Sequence, residues 1–387
     1  MINFEFLNPT LIIFGKDTQQ QVGEQVKAMG KKALVHYGGG SIKKSGLYDE
    51  VLASLNAAGV PFVELGGVKP NPVLSLVNEG IELCKKEGVD CILAVGGGSV
   101  IDSAKGIAMG VAMGVDIWPC FIGKAPVTAA IPIGCVLTIP AAGSESSPHT
   151  VITNEDGPYK RGAANPVLYP RFAIVNPELS LTLPPYQVGC GCVDILAHLM
   201  ERYFTNTEHV DVSDRMLEGV MRSVLYNAII SYENLTDYNS RAEICWAGTI
   251  AHNNLLDRGR IGDWGTHGIA AELGAIYDIA HGASLALTFP AWMKYAHTRN
   301  IPRFVQFAVR VMDVDLPYSD PQAIIMEGIR RLEKFYTSIG MPTRLAHADI
   351  PADRFKEMAA KAVEFGARGN LLAVTRDDVE NIYKLMV

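Results

Sequence analysis

The sequence predicts an α/β amino-terminal domain built on a parallel sheet, joined to an all-α carboxyl-terminal domain, with the division near residue 180. Three observations carry that prediction. Through the first half, short apolar runs bounded by glycines or charges alternate with stretches of helical period. This β–α–β rhythm lays strands parallel and puts helices on the sheet faces. After the breaker pair Pro184-Pro185 the texture changes to long helical runs with few β-branched strings. Two glycine clusters, Gly38-Gly39-Gly40-Ser41 and Gly96-Gly97-Gly98-Ser99, each follow an apolar run of the first half. The domains expected are therefore 1–180 and 181–387.

Taken in order, residues 11–14 and 33–37 read as strands, 45–58 as a helix and 61–65 as another strand. Asn71-Pro72 opens a helix that runs to Lys86. Cys91 to Val95 is a strand, Val100 to Met113 has helical periodicity, and 131–139 is strand-like. The second half predicts helices over 186–204, 211–232, 240–256, 266–276, 302–313, 321–339, 353–365 and 376–386. No internal repeat or low-complexity segment interrupts the pattern.

A length of 387 residues is enough for two separate cores. Hydrophobic residues at 48% with charged residues at 19% describe a globular chain, not a disordered one. The net charge is −7 and no basic run stands out, which argues against nucleic acid or an anionic membrane as partner. The opening Met-Ile-Asn-Phe-Glu-Phe lacks a basic region followed by an apolar core, so no signal peptide is visible and a cytoplasmic setting is expected. Pro126, Pro132 and Pro140 interrupt the uncharged stretch from Ala125 to Ser144, which therefore reads as buried strand plus loops and not as a membrane helix. Seven cysteines without a disulfide-like framework suit a reducing compartment.

The glycines of the first half point to an anion. Gly96-Gly97-Gly98-Ser99 leads straight from a strand into a helix, and missing Cβ atoms let backbone N–H groups and a helix N-terminus approach a phosphate closely. The run departs from the G-x-G-x-x-G fingerprint. Gly38-Gly39-Gly40-Ser41 follows the strand that ends at Tyr37. NAD-selective sites often carry a carboxylate at such a strand end to hold the ribose 2′-hydroxyl. None is present; the Ser41 hydroxyl and nearby Lys43-Lys44 would tolerate a 2′-phosphate, which favours NADP(H) over NAD(H).

The second half points to a metal. Asp194 and His198 stand at i and i+4 of a predicted helix, on one face and about 6 Å apart. His267 and His281 are fourteen residues apart, which along one unbroken helix is roughly 21 Å and too far to share an ion. If they meet, the helix breaks between them, and Gly274 with Tyr277-Asp278 offers the place. Three imidazoles and one carboxylate would suit zinc or ferrous iron with room for a substrate oxygen. Cys190-x-Cys192, beside Asp194, invites a second metal reading.

From Asp194 to Ser284 the pattern resembles the iron-containing, group III alcohol dehydrogenases, most closely the branch of butanol dehydrogenases and NADPH-dependent aldehyde reductases. The resemblance extends over nearly the whole chain, from Thr10-Leu-Ile-Ile-Phe-Gly15-Lys16 to Trp292 and beyond. It implies a Rossmann-like first domain, with cofactor and metal in the interdomain cleft. Asp194, His198, His267 and His281 would bind the divalent metal, Fe2+ or Zn2+, and the cysteines would not. Gly97, Gly98 and Ser99 would meet the pyrophosphate, and Gly38 to Ser41 the adenosine ribose, with Asn71 beside it; a helix cap is the structural alternative for Asn71. Thr138 and Ser144 match the family's nicotinamide-side loop, and Lys160 the lysine near the nicotinamide ribose.

The implied activity is the interconversion of short- to medium-chain primary alcohols and aldehydes by a homodimer. A small-molecule alcohol or aldehyde is the expected partner. Three positions depart from the family pattern. Cys192 replaces a usual glycine, Asn176 replaces an aspartate, and Ala271 stands where a proposed proton-relay histidine is usual. His149, expected near nicotinamide and substrate, could stand in as the relay or line the pocket. The rivals are a glycerol dehydrogenase-like enzyme or sugar-phosphate cyclase of the same fold, and a weakly active or non-catalytic cofactor-binding relative.

Overall fold

The structure, a computed structural model, describes residues 1–157, 159–315 and 320–387. Its strands are β1 (Leu11–Phe14), β2 (Ala33–Gly38), β3 (Phe62–Val68), β4 (Cys91–Gly96), β5 (Ile133–Leu137), β6 (His149–Asn154), β7 (Tyr159–Ala164) and β8 (Phe172–Val175). Six of them form a parallel sheet in the order β1-β8-β5-β4-β2-β3. The central strands are buried nearly end to end, whereas β1 and β3 at the edges are partly exposed. That is the signature of a parallel sheet covered on both faces.

Alternate strand residues feed two cores. Leu34, Ile92 and Ala94 pack with Val77, Ile81, Ile101 and Ala104 of the helices Leu74–Glu87 and Gly98–Met113. Ala33, Val35, Leu93 and Val95 pack with Val22, Val26, Val51 and Leu55 of the helices Val22–Met29 and Leu47–Ala58. The sheet grows to one side from β2 to β3 and to the other from β4 to β5. The order therefore reverses between β2 and β4, and ligands of such sheets bind beyond the strand carboxyl ends at that switch point. Both glycine clusters follow these two strands.

The chain divides into two compact units, and the expected contiguous domains need correction. One unit comprises Leu7–Leu183 and Thr236–Asn253; the other comprises Met1–Phe6, Pro184–Leu235 and Asn254–Val387. The expected helix over 240–256 is Tyr238–His252 and belongs to the sheet unit. Its Cys245 is buried in the sheet core, Arg241 donates to the Ser180 carbonyl, and Thr249 donates to Glu145 at 2.8 Å.

Several local expectations also shift. The helix expected from Asn71-Pro72 starts at Leu74, because the Pro72 carbonyl accepts from Thr153 N and Val73 bridges to Thr153. Asn71, at φ 57°, is therefore no helix cap. The antiparallel pair β6–β7, strand β8 and the helices Val22–Met29 and His281–Ala296 lay outside the sequence expectations.

The helical unit surrounds an aromatic core. Phe204 stacks on Phe304 with centroids 4.5 Å apart and meets Phe289, Trp292 and Phe307. Buried Asp214 and Glu218 on the helix Asp211–Glu233 pair with Arg260, Arg303 and Arg310, as buried charges require. Among the described residues no helix is long and apolar enough to cross a membrane. All seven cysteines are free and only Cys190 is more than slightly exposed.

Candidate metal centre and cofactor site

Asp194, His198 and Glu201 lie along one face of the helix Pro185–Tyr203, because positions i, i+4 and i+7 align at 3.6 residues per turn. All three are buried. The next contributing helix, Gly265–Tyr277, ends where Asp278 turns left-handed at φ 52°, and a new helix begins at His281. The chain therefore breaks between the two histidines at Tyr277-Asp278, as expected, while Gly274, also offered as the break, stays inside the helix. The rings of His267 and His281 come within 5.4 Å, edge to face. Gly282 makes the approach possible: a Cβ there would lie 2.0 Å from the Cys190 carbonyl oxygen.

Asp194, His267 and His281 each offer a ligand atom, all within 4.8 Å of one another. Asp194 Oδ1 is 3.9 Å from His267 Nε2 and 3.8 Å from His281 Nε2, too long for hydrogen bonds. Asp194 Oδ1 and His267 Nε2 are buried and have no hydrogen-bond partner. Buried polar atoms are normally paired, so the orphaned oxygen and nitrogen fit a cation between them. His198 stands beside this set and not within it. Its Nδ1 is 3.6 Å from the same Asp194 oxygen, and its ring stacks on that of His267 at 4.7 Å. Cys190 and Cys192 lie outside the metal-competent group, and burial pushes the Cys190 thiol up to about 11.

Sequence reasoning missed Glu201, although it continues the Asp194–His198 face by three residues. Its carboxylate is fully buried and caps the helix that carries His267. It accepts from Trp264 N at 2.7 Å, His267 N at 2.9 Å, His267 Nδ1 at 2.8 Å and the Thr266 hydroxyl. Asp263, equally buried, accepts from Gly265 N and from Asn370 N and Leu371 N. Burial, and then the nearby Glu201 charge, raise Asp263 to about 6 against the lowering effect of those N–H groups. Burial pulls His267 down, but the Asp194 and Glu201 carboxylates outweigh it and raise it overall.

In the sheet unit, Gly97 caps the helix Gly98–Met113. A Cβ at Gly97 would press on Ile139 at 3.0 Å, and one at Gly98 on Ala142 at 2.9 Å. Gly40 adopts φ 129°, in the region that favours glycine, whereas Gly38 and Gly39 do not. Ser99, in the first turn of the helix Gly98–Met113, and Thr138, directly after β5, are partly exposed. Lys160 on β7 donates to Asn71 Oδ1 at 2.9 Å, which brings two of the expected cofactor residues together. Ser41 is exposed at the start of the turn Ser41–Lys44. The Lys43 ammonium sits over the rings of Tyr37 and Tyr48, at 5.1 and 4.6 Å.

The Ser144 hydroxyl is engaged internally: it donates to Asp102 at 2.6 Å and accepts from Lys105 at 2.9 Å. Lys105, fully buried, also reaches the carbonyls of Ser144, Ser147 and His149. Burial lowers this ammonium to about 8, with Asp102 opposing. Ser144 thus holds the loop before β6 in place. His149 is exposed at the head of β6, its ring edge-on to His252 at 5.1 Å. Ala271 is half-buried, one helical turn after His267. Asn176 accepts from Glu178 N at 3.0 Å and so caps the turn Pro177–Ser180.

Residues 9–177 match the family described as iron-containing alcohol dehydrogenase, and residues 190–387 match the carboxyl-terminal domain of the Fe-containing alcohol dehydrogenase family. The chain is 42% identical over 384 residues to a probable NADH-dependent butanol dehydrogenase 1 of Bacillus subtilis, covering 99% of each. It is 34% identical over 390 residues to the NADPH-dependent aldehyde reductase YqhD of Escherichia coli, again covering 99% of each. The crystal structure of NADH-dependent butanol dehydrogenase A from Thermotoga maritima superposes with a TM-score of 0.96 at 40% identity, over 100% of this chain and 98% of that one.

Proposed function

The chain belongs to the iron-containing alcohol dehydrogenase family, and from that premise we propose that it reduces short- to medium-chain aldehydes to primary alcohols, and the reverse, with a nicotinamide cofactor and one divalent metal ion. The observation that carries the metal is the pair of buried, unpartnered atoms, Asp194 Oδ1 and His267 Nε2, beside His281. His198, whose Nδ1 lies 3.6 Å from Asp194, completes the ligand set. One carboxylate and three imidazoles suit Fe2+ or Zn2+. Bound there, such an ion supplies Lewis-acid polarisation of a carbonyl oxygen and lowers the pKa of an alcohol. The nicotinamide supplies or takes the hydride.

The chain's own residues bind and orient. Gly97, Gly98 and Ser99 offer backbone N–H groups at a helix N-terminus to the pyrophosphate. Gly38, Gly39, Gly40 and Ser41 take the adenosine ribose. Asn71 and Lys160 act as a linked pair at the cofactor riboses, and Thr138 with the Ser144 loop forms the nicotinamide side. Asp102 and Lys105 keep that loop rigid. His149 lines the pocket or carries a proton in place of the histidine that Ala271 replaces. The ligands keep their positions because two of them share one buried helix.

NADP(H) is the preferred cofactor in this reading. No acidic residue follows Tyr37 directly, and the Lys43 ammonium is held near that strand end by the two tyrosine rings. The relatives' names divide on this point: NADH-dependent for the butanol dehydrogenases, NADPH-dependent for the aldehyde reductase. The reading has the enzyme working as a homodimer on the strength of the resemblance, and in the cytoplasm because its cysteines form no disulfide-like framework; a light-scattering mass checks the dimer. An aldehyde panel with NADPH and NADH, after reconstitution with each metal, tests the activity. Turnover of glycerol alone, or of no aldehyde at all, would overturn it.

A further inference from the structure

We infer that Glu201 is a positioning residue for metal capture, holding the ring and the backbone of His267 with one oxygen; the inference rests on the metal reading above. Glu201 Oε1 accepts from His267 Nδ1 at 2.8 Å and from His267 N at 2.9 Å. A buried carboxylate is an acceptor only, so Nδ1 carries the proton in this contact and Nε2 is the nitrogen left for a ligand role. Nε2 is also the buried atom without a hydrogen-bond partner. The tautomer, the ring direction and the start of the helix are thus set by a single side chain.

The placement of that side chain gives the arrangement its rigidity. Glu201 stands on the same helix as Asp194 and His198. One helix therefore supplies two ligands directly and fixes a third at second hand, without reliance on a loop. The other carboxylate oxygen, Oε2, accepts from Trp264 N at 2.7 Å. Trp264 sits at φ 63°, a conformation that costs energy for a bulky residue and persists only where its surroundings impose it. Its ring lies 5.5 Å from that of His267 and 6.1 Å from that of His198, with the Arg202 guanidinium 4.6 Å away on it. The backbone of this strained residue is tied to the carboxylate that holds His267, and its ring lies against His267 and His198.

Zn2+ and Co2+ titration of the chelator-stripped full chain tests the role, with the melting temperature of the metal-free protein as a second readout. Outer carboxylates of this kind are worth about 10–100-fold in metal affinity. Glu201→Gln is expected to weaken both ions by that factor while the metal-free protein melts near wild type. Thr266→Ala, which removes a different donor to the same oxygen, is expected to change affinity by less than about threefold against that scale. If Glu201→Gln does not fold, Glu201→Asp serves, because the retracted carboxylate keeps its charge but loses its reach to Nδ1. Unchanged affinity in the Glu201 variant overturns the inference. So does an equal loss in Thr266→Ala, since Glu201 would then act only as a helix anchor. A wild-type chain that binds neither ion refutes the metal reading itself.

Discussion

Replacing Gly282 with alanine should disturb the metal centre through a single methyl group. Its Cβ would lie 2.0 Å from the Cys190 carbonyl oxygen, where ordinary contact begins at 3.4 Å, so the two helices must separate by 3.4 − 2.0 = 1.4 Å along that line. In an α-helix the Cys190 carbonyl serves the N–H four residues on, which is that of Asp194. The neighbour of Gly282 on the other side is His281. The push therefore falls between two proposed ligands, and sites of this kind tolerate only about 0.5 Å of misplacement. Overpacking of this sort costs about 1–3 kcal/mol of stability. Metal affinity should fall by about tenfold or more, as when supporting contacts are lost. Gly219→Ala is the control: it lies within a helix with no atom within 4 Å of the added carbon and should gain about 0.5–1 kcal/mol. Thermal melts and Zn2+ titration of both variants measure the difference. A Gly282→Ala chain that binds metal as tightly as wild type would refute the reasoning.

His36 should give the fold an acid-sensitive element. It is fully buried between Leu65 O and Ser103 Oγ, both at 2.8 Å, and burial lowers it from 6.5 to about 4. A lowered pKa means the stabilisation is complete above pH 6.5 and is lost as pH falls towards 4, by up to about 3 kcal/mol. Melts of wild type and His36→Gln across that window should converge as the pH drops, and parallel curves would count against it. Gly39→Asp, at a position with nothing within 4 Å and no positive φ, should lower kcat/KM for NADPH more than for NADH, on the order of tenfold. An unchanged ratio would mean that the 2′-position is read elsewhere. His149→Ala should keep the pH profile of kcat and alter the ranking of bulky aldehydes; loss of a limb of that profile would make His149 the proton relay. If the profile is kept and Ala271→His raises kcat, the natural chain is an attenuated member of its family.

The parallel sheet was legible because its inner strands are near-continuous apolar runs, at 91–95 without a break and at 33–37 broken only by His36, as a doubly covered sheet requires. Strand β8 is as buried, but four residues between prolines and a charge leave no period to detect. β6 and β7 carry polar and charged residues such as His149, Lys160 and Arg161, so their pairing, not their composition, makes them strands. The helix His281–Ala296 was hidden by Pro290 inside it and by the glycine that packs it closely. The break at Asp278 was readable because two histidines fourteen residues apart could not otherwise meet. Glu201 was overlooked although its spacing from His198 repeats the helical face. A buried acid looks like any surface acid until the N–H groups it caps are known. The helix Tyr238–His252 joins the sheet unit through contacts to Ser180 and Glu145, which no local pattern encodes.

The central claim is that Asp194, His198, His267 and His281 hold one divalent ion. Elemental analysis of the purified chain after reconstitution with Fe2+ or Zn2+ and desalting measures this directly, for wild type and for Asp194→Ala and His267→Ala. The account predicts one ion per chain in the wild type and a loss of tight binding in both variants, each of which folds with a wild-type circular dichroism spectrum. Stoichiometric metal persisting in both variants, or none retained by the wild type, would contradict it.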